Sequence, residues 1–70
     1  VSGSFDLVCA NLTADVIIPI MPELLDRARS ILVLSGILAE QEGLVSNTIP
    51  QHFDTTVTRA GEWIAMTVRK

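Results

Sequence analysis

Asn11 is the residue best placed to do chemistry. The run Phe5-Asp6-Leu7-Val8-Cys9-Ala10 is apolar after Asp6 and stops at this one carboxamide, and a helix-like pattern starts at Thr13. In open α/β sheets, ligands sit outside the carboxyl ends of the strands, so Asn11 stands where a ligand is expected. Its side chain offers both donors and an acceptor, enough to orient an amine or an amide. The position also suits a helix cap or an Asx turn, which strand-to-helix junctions often use. The residues alone leave both readings open. Ser35-Gly36 closes a second apolar run, Ile31-Leu32-Val33-Leu34. If the two runs are parallel strands, this pair falls on the same edge as Asn11, where glycine lets a backbone approach a ligand closely. A tight strand-to-helix turn would use the same residues.

The other reactive side chains read as structural. Cys9 has no histidine near it in sequence to activate it, and is expected as a buried core thiol. His52 is the only histidine, and no Cys/His spacing gives it metal partners, so no metal site is expected. Asp6 reads as a solvated entry residue. Asp15 falls in a first helical turn, where the dipole favours an acid. Glu40 and Glu42 read as a solvated helix face. Trp63 reads as a core or interface anchor, because no basic stripe surrounds it as a nucleic-acid stacking platform requires.

These residues need a scaffold, and size and composition limit what it can be. Seventy residues make one domain at most, and a chain this short buries only about 60% of its unfolded surface. A hydrophobic content of 49% fits a buried α/β core. The net charge of −3 leaves no basic footprint for nucleic acid. No apolar run approaches the roughly 18 residues that span a bilayer. A single cysteine without a signal peptide fits a reducing, cytoplasmic location. The start at Val1, with neither Met nor targeting pattern, reads as a cut from something longer.

The elements follow from periodicity. Phe5 to Ala10, apolar on both faces after Asp6, reads as a strand covered on both sides. Thr13 to Arg29 places Ala14, Ile17, Met21, Leu24 and Ala28 on one helical stripe, with Thr13 or Asn11 as the cap. Pro19 and Pro22 predict a kink or two shorter helices, and Arg27 and Arg29 suit the dipole of the last turn. Ile31 to Leu34 reads as a strand that Ser35-Gly36 breaks. Leu38 to Ile49 reads as a helix ending before Pro50, with Leu38, Val45 and Ile49 inward. Phe53, Thr55 and Val57 alternate with polar residues, Ala60-Gly61 signals a turn, and Ile64, Met66 and Val68 share one face of a last strand. The order is strand, helix, strand, helix, strand, strand: a parallel pair joined through a helix, then an antiparallel hairpin. Gly3, Gly36, Gly43 and Gly61 form no phosphate-cradling loop.

Three blocks carry a resemblance: Phe5-Asp6-Leu7-Val8-Cys9-Ala10-Asn11-Leu12-Thr13-Ala14, Leu34-Ser35-Gly36-Ile37-Leu38 and Gly61-Glu62-Trp63-Ile64-Ala65. In this order and spacing they resemble the C-terminal part of the ribosomal protein L11 methyltransferases, over nearly the whole chain. The resemblance implies the C-terminal half of a Rossmann-like seven-stranded α/β sheet with a reversed last strand, as in class I methyltransferases. Residues 1–70 would be the C-terminal part of one methyltransferase domain whose glycine loop and acidic ribose-binding residue lie upstream, so that the chain alone would be inactive. It implies S-adenosylmethionine as cofactor and methyl transfer to amino groups of a large-subunit ribosomal protein. No direct nucleic-acid, membrane or metal partner is implied.

By the same resemblance Asn11 is catalytic, facing the incoming amine, and Asn11 and Leu12 bind the cofactor. One departure stands out. Relatives carry a Pro-Gly-Gly-like turn between helix and next strand, whereas this chain runs Arg27-Ala28-Arg29-Ser30-Ile31 without glycine. The rival readings are a methyltransferase of the same fold acting on another amine or amide, and a noncatalytic α/β interaction module. The segment Ala10-Asn11-Leu12-Thr13 lacks the paired prolines of amide- and base-methylating relatives, which weighs against the first.

Overall fold

The computed structural model describes residues 5–70, so Val1 and Gly3, read above as a cut end and a glycine outside any loop motif, lie outside the described residues. The chain builds β1 (Phe5–Asn11), α1 (Ala14–Arg27), β2 (Ala28–Leu38), a short 3₁₀ turn (Ala39–Gln41), α2 (Glu42–Ser46), β3 (Asp54–Ala60) and β4 (Trp63–Arg69). The strands form one sheet in the order β1-β2-β4-β3. β1 and β2 pair in parallel through α1, as the alternating pattern predicts. β4 runs antiparallel to both β2 and β3 and lies between them, so the reversed strand is the last one.

One face of this sheet carries the core. Leu32, Leu34, Ile37, Met66 and Val68 are fully buried, with Ile17 and Met21 of α1 and Val45 of α2. Ile64, Met66 and Val68 point inward together, as their period of two requires. Within these 70 residues β1 is covered on one face, where cover on both was expected. Val8 and Ala10 turn toward the core, while Leu7 and Cys9 project from the other face and are exposed. Within these 70 residues Cys9 is exposed, where a core thiol was expected.

α1 departs from expectation in running as one helix of 14 residues through Pro19 and Pro22. Both prolines are on the exposed side, so the carbonyls they leave without a partner can be hydrated. The stripe Ala14, Ile17 and Met21 is buried and holds the helix continuous, packing overriding propensity. The helix stops at Arg27 without a loop: Ala28 is already extended, at φ −84° and ψ 110°, and donates its N–H to the Leu24 carbonyl. Arg29 consequently lies in β2, not in a last helical turn. The Lys70 ammonium donates to the Leu25 carbonyl, and to that of Ala28 at 2.6 Å. A cation from the residue just past β4 thus partners carbonyls at a helix end that has no glycine turn.

The predicted break at Ser35-Gly36 is a β-bulge instead. Leu34 pairs with Met66 and Ile37 with Ile64, so two residues of β2 face one of β4. The extra residue returns Ile37 to the core face beside Leu34, and both are fully buried. The strand therefore continues to Leu38, which pairs with Trp63, and the Ala39 N–H donates to the Glu62 carbonyl at 2.7 Å. These sheet bonds hold Leu38 extended, so the helix expected over Leu38 to Ile49 shrinks to the 3₁₀ turn and α2. Val45 and Ile49 are nonetheless buried. β3 is exposed along its whole length, and of the alternating set Phe53, Thr55 and Val57 only Phe53, just ahead of the strand, packs against the core.

Candidate functional site

Asn11 ends β1 and pairs with Ser35 of β2. The Leu12 N–H donates to the Ser35 carbonyl at 3.2 Å, carrying the parallel ladder one residue past the strand. Thr13 occupies the N-cap of α1, but its side chain makes no cap bond. Asn11 lies in the strand, two residues ahead of that cap. Neither side chain named as a cap candidate caps the helix.

The Asn11 carboxamide is exposed at the carboxyl rim of β1 and β2, and no described residue hydrogen-bonds it. It lies against Gly36. A Cβ built on Gly36 would stand 2.8 Å from Asn11 Oδ1 and 3.1 Å from the Leu12 carbonyl oxygen. The φ of Gly36 is +82°, a backbone conformation that side chains of L-residues rarely adopt. The bulge thus turns a bare stretch of backbone toward the carboxamide. Leu12 follows at the same rim with 37% of its surface exposed. Two donors, one acceptor and an adjoining apolar side chain can hold a polar ligand and orient an amine.

The rim continues across the sheet. Trp63, read as a core or interface anchor, opens β4 beside Leu38 and is 52% exposed, so within these 70 residues it is not part of the core. An open cavity of about 320 Å³ lies at this end, lined by Leu38, Ala39, Glu40, Arg59 and Glu62. It does not include Asn11. Arg59 Nε donates to the Gly61 carbonyl at 2.8 Å, which fixes the hairpin turn. Asp15 and Glu40 are exposed, as read from the sequence. Asp6 is solvated too, 4.0 Å from the Arg29 guanidinium. His52 packs edge-on against Phe53 with ring centroids 4.2 Å apart. Among the described residues, no group of three or more His, Cys, Asp or Glu side chains is placed to hold a metal ion.

Sequence reasoning placed Ser35-Gly36 on the edge of Asn11 but missed the contact between glycine and carboxamide. Two residues 25 positions apart touch only because the bulge falls opposite the strand end. A Ser-Gly pair following a strand run was the available signal.

The family model for ribosomal protein L11 methyltransferase (PrmA) matches residues 1–70. The ribosomal protein L11 methyltransferase of Pelobacter propionicus is 42% identical over 72 residues, covering 97% of this chain and 23% of its own. That of Myxococcus xanthus is 33% identical over 72 residues, covering 100% of this chain and 25% of its own. The chain spans about a quarter of the length of these curated relatives. A crystal structure of ribosomal protein L11 methylase from Lactobacillus delbrueckii subsp. bulgaricus superposes with a TM-score of 0.88 at 29% identity, over 100% of this chain and 39% of that one. The family model matches all 70 residues and the curated relatives are 33–42% identical over nearly the whole chain, so the chain belongs to the ribosomal protein L11 methyltransferase family.

Proposed function

We propose that this chain is the C-terminal part of a methyltransferase domain that transfers methyl groups from S-adenosylmethionine to amino groups of ribosomal protein L11. The domain would be a cytoplasmic, Rossmann-like seven-stranded sheet, with β1 to β4 as its last four strands and the glycine-rich cofactor loop on preceding residues. Family membership supports the reaction class. The observation that carries the site assignment is the exposed Asn11 carboxamide, seated against Gly36 at the carboxyl rim of a parallel strand pair.

The residues present fit the cofactor's polar end. Asn11 offers donors and an acceptor without a competing partner among the described residues, and the missing Cβ at Gly36 keeps the space beside it clear. Asn11 and Leu12 are the residues that would hold it. When bound, S-adenosylmethionine supplies an electrophilic methyl on a sulfonium. The work left to this chain is positioning. Asn11 Oδ1 accepts one N–H of the neutral substrate amine and thereby fixes the direction of the nitrogen lone pair. Its Nδ2 donors remain for the cofactor. Leu12 supplies an apolar contact that excludes water from one side of the pair.

The test uses the full-length enzyme. Asn11→Ala lowers methylation of ribosomal protein L11 by about a hundredfold, the cost of a misplaced reactant, while the fold persists. Calorimetric titration with S-adenosylmethionine reports the cofactor contact separately. Unchanged turnover by the variant overturns the role of Asn11.

A further inference from the structure

We propose that Gly36 is a positioning residue for methyl transfer, acting through the Asn11 carboxamide. This inference rests on the reading of Asn11 given above. Two independent features of Gly36 converge on the carboxamide. The first is conformational: at φ +82° Gly36 forms the bulge that lets Leu34 and Ile37 both enter the core. The second is steric: the Cβ that any other residue would carry meets Asn11 Oδ1 at 2.8 Å and the Leu12 carbonyl oxygen at 3.1 Å.

At these two contacts the yielding partner is predictable. The Leu12 carbonyl is backbone, held in place because the N–H of the same residue is tied to the Ser35 carbonyl. Asn11 Oδ1 is the far end of a short side chain, exposed and without a hydrogen-bond partner among the described residues. A side chain at position 36 therefore displaces the carboxamide, not the strand. Bulges recur beside active sites because they re-aim a side chain. Here the bulge aims the side chain of the neighbouring strand, by leaving it a floor of bare backbone. Gly61 provides the contrast: its φ is also positive, at +63°, yet nothing lies within 4 Å of a Cβ built there. Gly61 serves its turn alone, whereas Gly36 serves its turn and a functional side chain.

The experiment is a double-mutant cycle in the full-length enzyme, with Gly36→Ala, Asn11→Ala and the pair, following turnover and melting temperature. Gly36→Asn is a second variant, since asparagine tolerates left-handed backbone but carries the same Cβ. Gly36→Ala and Gly36→Asn should each lower turnover about tenfold or more. In the Asn11→Ala background, the added Gly36→Ala should change turnover by less than about twofold, because the carboxamide it would displace is gone. The pair should also melt above Gly36→Ala alone, the clash having been removed. The Asn11 side-chain amide resonance should move in Gly36→Asn. Full, independent losses from both substitutions overturn the inference while leaving Asn11 its role. Normal turnover by Asn11→Ala overturns both. A Gly36→Ala protein that fails to fold, and is not rescued by Asn11→Ala, overturns the inference too, since its strain then lies elsewhere.

Discussion

Replacing Lys70 with Met should open the junction between α1 and β2. That junction has no loop residue and no glycine, so the last carbonyls of α1 need partners from elsewhere. The Leu24 carbonyl takes the Ala28 N–H, and the carbonyls of Leu25 and Ala28 take the Lys70 ammonium. The ammonium also lies 5.8 Å from the centre of the Phe53 ring. Methionine keeps the apolar stem and removes the charge and its donors. Hydrogen bonds from a charged donor are worth about 1.5–3 kcal/mol each when desolvated, and partial exposure cuts that sharply. The cation–π contact, close to its distance limit, adds about 0.5 kcal/mol, the low end for an exposed site. The sum is about 1–2 kcal/mol, which is a factor of roughly 5–30 in a local opening equilibrium. Residue-resolved hydrogen exchange on the full-length enzyme measures this without assuming two-state unfolding. The Ala28 amide, bonded to Leu24, should exchange faster in Lys70→Met by that factor. Unchanged protection at Ala28, or a loss spread evenly over the β3–β4 hairpin, would refute the idea that Lys70 stands in for the absent glycine turn.

Leu34 is fully buried on the central strand between Ala10 and Met66, so Leu34→Ala should destabilise by about 2–5 kcal/mol, read as a lowered urea midpoint with an unchanged slope. Gly61→Ala meets no atom within 4 Å, so its cost is the left-handed backbone alone, about 1–2 kcal/mol, and Gly61→Asn should recover part of it. A loss well above that range in the same denaturation assay would mean that the turn is packed, not merely bent.

The strand periods were legible because they depend on neighbours in sequence. Ile64, Met66 and Val68 alternate with smaller or polar residues, and one register of β4 buries all three. The parallel pairing of β1 with β2 followed from a helix between two apolar runs. Other features depend on residues far apart. The prolines of α1 predicted a kink from local sterics, but burial of Ile17 and Met21 and hydration of the opposite side keep the helix whole. The bulge at Ser35-Gly36 exists because β4 offers one residue where β2 offers two, which no window on β2 alone can reveal. Cys9 was misplaced for a subtler reason. An apolar run fits a strand covered on both sides or a strand covered on one, and the exposure of Leu7 and Cys9 opposite Ala10 marks the second for the described residues. At the site, the carboxamide and its rim position were readable, while the seat beneath it lies on another strand.

The two ends of the sheet divide the work. At one end meet the Leu25 and Ala28 carbonyls, the Lys70 ammonium and the Phe53 ring, all engaged with one another. The Lys70 N–H there is also tied to Ser30, at 2.9 Å. At the other end the backbone is equally tied: Leu12 to Ser35 and Ala39 to Glu62, each by an N–H donated across neighbouring strands. There, however, the side chains of Asn11, Leu12 and Trp63 remain exposed. A fixed backbone leaves only these side chains to be ordered when a ligand binds. Where the work is positioning, an error of an ångström in a reactant costs about two orders of magnitude in rate. The antiparallel entry of β4 between β2 and β3 brings the Gly61 turn and Trp63 to that same rim, where a parallel strand would have put its carboxyl end. The reversed strand therefore does more than close the sheet. It sets the hairpin at the same rim as Asn11, with β2 between them.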